Sequence, residues 1–150
     1  MFIRQAELFE GISADAKRVI ERQGMELSFK AGAVVFEEGY EAPYFYILEE
    51  GKVDLFVGKQ EEKRFLVYYP GEIFGWSALV EPHRYLASAR CMADTIMTRI
   101  PRQAVDIVLK EYPSDGQLIY QHLAAILAQR LIEAYRESVP QSGIQAPSYG

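Results

Sequence analysis

Between Met25 and Ile100 the chain is cut by turn signals into short strand-like runs, roughly one every eight to twelve residues. Met25, Leu27 and Phe29 alternate with Glu26, Ser28 and Lys30, a period of two that puts the apolar side chains on one face of a strand. Ala31-Gly32 breaks this run, and Val34-Val35-Phe36 starts the next. The segments Tyr44 to Leu48 and Val53 to Val57 are strands turned about Glu49-Glu50-Gly51-Lys52. Phe65 to Tyr69 returns from a charged hairpin tip at Gly58 to Arg64, in which Glu61-Glu62-Lys63-Arg64 is a solvated turn. Ser88 to Ala93 and Ile96 to Ile100 follow, separated by a turn at Asp94. Such a series predicts an all-β barrel or sandwich.

Helices flank it. Leu8-Phe9 and Gly11-Ile12 form an apolar knuckle, and Ser13 is a good N-cap for a helix from Ala14 to about Gln23, with Val19 and Ile20 facing the core. Pro101 opens a short helix with Ala104, Val105, Val108 and Leu109 on one side. Pro113-Ser114-Asp115 then caps a long helix from Gly116 to Glu137. On it Ile119, Leu123, Ile126 and Leu127 make one apolar stripe, widened by Ala124, Leu131 and Tyr135. That stripe is broader than one barrel face needs, which predicts a homodimer through Gly116 to Glu137. Residues 1–137 are expected to form the domain and residues 138–150, rich in Pro, Gly and Ser, a flexible tail.

The 150 residues suffice for one domain with a real core, and 49% hydrophobic content with ten tyrosines fits a β-rich fold. A net charge of −5 argues against a sizeable nucleic-acid-binding surface. The amino end lacks a signal peptide's apolar region, and no run approaches the ~18 apolar residues of a membrane span, so the expected location is cytoplasmic. The single cysteine, Cys91, allows no internal disulfide and reads as a buried small apolar residue. His83 and His122 come without a third His, so no metal site is expected. No nucleophile–base pair stands out either, and the chain is not expected to be an enzyme.

The stretch from Tyr69 to Arg90, YPGEIFGWSALVEPHRYLASAR, is the chemically interesting one. Gly75 leads into a short helix over Ser77-Ala78-Leu79-Val80, a polar loop follows, and a strand-like run starts at Tyr85. The first turn of such a helix offers N–H groups, here those of Trp76, Ser77 and Ala78, to an anion.

Three segments together resemble the cyclic nucleotide-binding domain superfamily: Lys30 to Gly39 (KAGAVVFEEG), Tyr44 to Val53 (YFYILEEGKV) and Pro70 to Gly75 (PGEIFG). The superfamily includes the effector domains of catabolite-activator-type regulators and the regulatory subunits of cyclic-nucleotide-dependent kinases. The resemblance implies a mainly β fold with flanking helices. It is a double-stranded β-helix, a jelly-roll-like β-roll, with short N-terminal helices and a long C-terminal helix across its mouth. Phe74 to Ala89 resembles the family's phosphate-binding cassette.

Nucleotide-binding members carry, after the cassette glycine, a Glu for the ribose 2′-hydroxyl and, nine residues later, an Arg for the cyclic phosphate. Aligned without gaps, those places here hold Trp76 and Tyr85. Arg84 is one residue early and serves only if the loop shifts, while Ser88 matches a small hydroxyl position. Ala134 and Tyr135 resemble the helix positions that meet the base. The candidate ligand-binding set is therefore Gly75, Trp76, Ser77, Ala78, Arg84, Tyr85, Ser88 and Tyr135. Trp76 and Tyr85 either line an aromatic pocket with two polar tips or fill it as core.

Two function classes remain open. One is a stand-alone sensor or regulatory domain that signals through its long helix. Its ligand is a cyclic nucleotide (cAMP or cGMP) or, preferably, another small anion-bearing molecule. The other is a ligand-free dimerisation or scaffold module. The family's transcription regulators carry a helix-turn-helix after the long helix; none follows here, so the output is expected to reach a partner protein or a segment not contained in this chain.

Overall fold

The computed structural model describes residues 6–59 and 64–138. The hairpin-tip residues 60–63 and the tail from residue 139 onward lie outside the described residues. Ser13 caps the first helix, its Oγ accepting the Ala16 N–H at 3.2 Å, and α1 spans Ala14–Gln23 behind a short 3-10 turn at Glu7–Phe9. Eight strands follow: β1 Met25–Phe29, β2 Val34–Phe36, β3 Tyr44–Glu50, β4 Val53–Phe56, β5 Arg64–Val67, β6 Ile73–Phe74, β7 Ser88–Cys91 and β8 Thr95–Pro101. Two helices follow among the described residues, α2 Arg102–Glu111 and α3 Pro113–Ser138.

The strands form two antiparallel four-stranded sheets, ordered β1-β8-β3-β6 and β2-β7-β4-β5. Their register sets the two cores. Along β3 the side chains alternate: Phe45 and Ile47 join the helices, while Tyr46 and Leu48 point between the sheets with Phe74, Val67, Cys91 and Met97. This is the expected β-roll, and β3 is buried on both faces because it lies between the roll and the helical layer. Cys91 is fully buried, and burial pushes its thiol pKa up.

The helical layer departs from expectation in places. Helix α3 begins at Pro113, not Gly116, so a single residue, Tyr112, separates it from α2. Proline fits the first helical position, and the Asp115 carboxylate accepts instead from the Ser13 N–H and hydroxyl at 3.0 and 2.6 Å. The tight corner leaves no room at Gly116, where a Cβ would lie 2.6 Å from Leu109 Cδ2. Leu109 itself is exposed rather than grouped with buried Ala104, Val105 and Val108. Ile20 is buried as expected and Val19 half-buried. Ser138, expected in the tail, ends α3.

Candidate functional site

The chain leaves β6 through Gly75, whose φ of +72° is costly for any residue with a Cβ. A Cβ there would also stand 3.1 Å from the Tyr46 ring and 3.2 Å from the Phe36 ring, a tight approach that those rings would have to yield to by a few tenths of an ångström. The following helix is a single 3-10 turn, Trp76–Leu79, in place of the expected helix over residues 77–80. Its Ala78 N–H bonds the Gly75 carbonyl at 3.2 Å, which removes one of the three donors expected to face an anion. Ser77 and Ala78 are buried, and half-buried Trp76 packs against both cores.

The loop back to β7 passes a cis Glu81–Pro82 peptide. Tyr85 does not begin a strand; regular pairing starts at Ser88. The Tyr85 backbone instead pairs with the loop after β2, its N–H donating to the Tyr40 carbonyl at 3.0 Å and its carbonyl accepting from Gly39 at 2.8 Å. That pairing turns the side chain inward. The Tyr85 ring lies 3.9 Å from Phe36, nearly parallel at 11°, and Tyr46 and Phe74 continue the cluster with centroids 5.2 Å apart. Each such pair stabilises by about 0.5–1.5 kcal/mol beyond area burial. The Tyr85 hydroxyl donates to the Tyr44 carbonyl at 2.7 Å and also meets the Tyr46 hydroxyl; desolvation raises both phenols' pKa. A phenol with its proton already engaged thus stands at the position that the ungapped alignment matches to the family's cation.

Arg84 is turned to solvent. Its backbone bridges Glu41 and its exposed guanidinium donates to the Gly39 carbonyl at 3.2 Å, on the outside of the roll. Ser88 is half-buried, and its Oγ accepts the Glu38 N–H at 3.0 Å. Gly75, Trp76, Ser77, Ala78 and Tyr85 come together; Arg84 and Ser88 face the loop after β2. Tyr135 is half-buried on α3.

Helix α3 reaches the cassette through residues the sequence reading did not single out. The Tyr120 hydroxyl donates to the Leu79 carbonyl at 3.0 Å. The Arg130 guanidinium lies 4.2 Å over the Phe65 ring and 6.0 Å from the Trp76 ring, and meets Glu72 Oε1 at 3.5 Å. The other oxygen of Glu72 accepts the N–H groups of Tyr68 and Tyr69 at 2.9 and 3.0 Å, so the acceptor is fixed before the arginine arrives. The signal was present: Arg130 continues the series Leu123, Ile126, Leu127, a cation where the buried stripe calls for an apolar residue.

Two open grooves flank the cassette. One, about 430 Å³, is lined by Tyr40, Tyr44, Tyr46, Tyr85 and Arg99 among others; the second, about 490 Å³, includes Ser88, Phe56 and Arg90. Neither is lined by Gly75, Trp76, Ser77 or Ala78. Among the described residues no cluster of three or more His, Cys, Asp or Glu could hold a metal ion, and no helix is long and apolar enough to cross a membrane.

The family model of the cyclic nucleotide-binding domain matches residues 26–112, from β1 through the cassette to the end of α2. The chain belongs to that family. A cyclic AMP receptor protein of Thermus thermophilus is 29% identical over 135 residues, covering 88% of this chain and 60% of its own length. A cAMP-dependent protein kinase regulatory subunit of Debaryomyces hansenii is 33% identical over 118 residues, 76% of this chain and 25% of the relative. The chain therefore spans less than two thirds of either relative. A solved cyclic nucleotide-binding domain from Methylobacillus flagellatus superposes with a TM-score of 0.77 over 97% of this chain and 83% of that one, at 18% identity, which establishes the fold alone. Fold and family make this a regulatory-type domain of the cyclic-nucleotide-binding kind.

Proposed function

We propose that the chain is a sensor domain that has given up cyclic nucleotide in the cassette and kept the coupling between cassette and long helix. The observation that carries this is Tyr85, 5% exposed and stacked on Phe36 where the family's phosphate-binding arginine is expected. Trp76 likewise replaces the ribose acceptor. The ligand is a small anion-bearing molecule with an apolar body. Its effect reaches α3 through Leu79–Tyr120 and through the Glu72–Arg130–Trp76 contact. Ligand acts on the helix only by its differential affinity for two arrangements of these contacts.

The output surface is the outer face of α3, where Leu131 is 61% and Ile132 37% exposed beside exposed Ala124 and Ala128. A second copy of the chain, packed about a two-fold axis, is the partner this face suits. The aromatic filling of the roll also favours a second reading, a dimerisation module without ligand.

Calorimetric titration of the full chain with cAMP and cGMP tests the first claim. Loss of the buried charge-assisted pair costs about 2–5 kcal/mol, roughly thirtyfold or more in affinity, so binding weaker than about 100 μM is expected. A micromolar dissociation constant for either nucleotide would overturn the assignment.

A further inference from the structure

Arg99 sits on β8 opposite Tyr46 of β3, in line with Thr95 and Met97, whose side chains are buried. It is half-buried, and no carboxylate among the described residues lies within ion-pair distance of it. Its guanidinium stacks 4.2 Å over the Tyr44 ring, and among the described residues its hydrogen-bond contact is with a weak acceptor, Met25 Sδ at 3.6 Å. Stacking uses the π face of a guanidinium and leaves its in-plane N–H donors for a planar acceptor. Arg99 lines the groove, an open surface depression of about 430 Å³. The groove's other walls are of two kinds. Tyr40, 64% exposed, Tyr44 and Tyr85 offer ring surface, while Glu37 and Glu41 add two carboxylates on the loop side.

A simple anion would meet Arg99 but also the two glutamates. A simple amine would meet the glutamates but also the arginine. The lining is matched by a molecule carrying both charges and an apolar body. We propose that this groove binds a free aromatic α-amino acid, its carboxylate on Arg99, its ammonium toward Glu37 and Glu41, and its ring against Tyr40 and Tyr44. The proposal rests on the sensor reading above and moves the ligand's cation from the cassette loop to β8. Tyr85 makes the connection, since its inner ring face stacks on Phe36 while it also lines the groove.

The test is titration of the full chain with L-phenylalanine, followed by calorimetry and by the chemical shifts of the tyrosine rings. Saturable binding is expected. Phenethylamine, which lacks the carboxylate, and 3-phenylpropionate, which lacks the ammonium, should each bind about tenfold or more weakly. Arg99→Gln should lose affinity by a similar factor. Arg99→Lys keeps the charge but not the fork, and should fall between the two. Arg18→Gln, on α1 and paired with Asp15 of its own helix, should bind as the parent does. Absence of saturation at 10 mM L-phenylalanine, or equal binding by a folded Arg99→Gln chain, overturns the proposal. If L-phenylalanine binds as described but hydrogen exchange in α3 does not change, the groove stands and the sensor reading fails.

Discussion

The two halves of α3 are held by different means. Residues 113–123 are built in: Ile119 and Leu123 are buried, Gly116 packs against Leu109, Asp115 ties to Ser13, and His122 Nδ1 lies 3.1 Å from the Leu8 carbonyl. Among the described residues, 124–138 rest on half-buried Ile126, Leu127 and Tyr135 and on Arg130, set between Glu72 and two rings. The first half is anchored by burial, which is strong and indifferent to direction. The second is held by contacts that a small movement of the cassette can make or break. An anchored base with a lightly held end is what a lever requires, and local opening in proteins draws on such low-stability segments.

The comparison is sharpened by substitution, most strongly in the anchored half. Ile119→Ala removes a fully buried side chain from the helical core and should cost about 2–5 kcal/mol of global stability in chemical denaturation. A loss under about 1 kcal/mol would mean that this half is not anchored by burial. Arg130→Gln removes the stacked cation and the ion pair and should cost about 1–2 kcal/mol, with a change in Trp76 fluorescence. Unchanged emission would show that the arginine does not rest on the cassette. Leu131→Glu should alter monomer stability by less than about 0.5 kcal/mol, because the side chain is 61% exposed. It should nonetheless abolish the dimer in sedimentation. A monomeric wild-type chain at micromolar concentration refutes the interface.

Most of the fold was legible because a two-residue period and turn residues report directly on strand faces. Met25, Leu27 and Phe29 fall on one face as the alternation requires, though Met25 ends 51% exposed at the sheet's end. Strand β6 is only Ile73–Phe74, too short for any period to register. The start of α3 was misread because Pro113-Ser114-Asp115 has the composition of a cap, yet Asp115 serves Ser13, 102 residues away. Long-range pairing hid the site in the same way. Tyr85 reads as a strand residue, but its backbone pairs with Gly39 and Tyr40, which only the folded loop brings alongside. The ungapped alignment puts Trp76 and Tyr85 at the family's two anchoring places; it carries no sign that Tyr85 closes on Phe36. Arg130 is a cation on an otherwise apolar series, and Arg99 one on a strand face with buried Thr95 and Met97, signals that become readable once the buried faces are assigned.

Hydrogen exchange on the wild-type and Arg130→Gln chains tests the coupling of cassette and lever most directly. The account predicts faster exchange in residues 124–138 and, together with it, in the cassette residues 72–80, while residues 113–123 stay protected. Faster exchange confined to α3, with residues 72–80 unchanged, would contradict it.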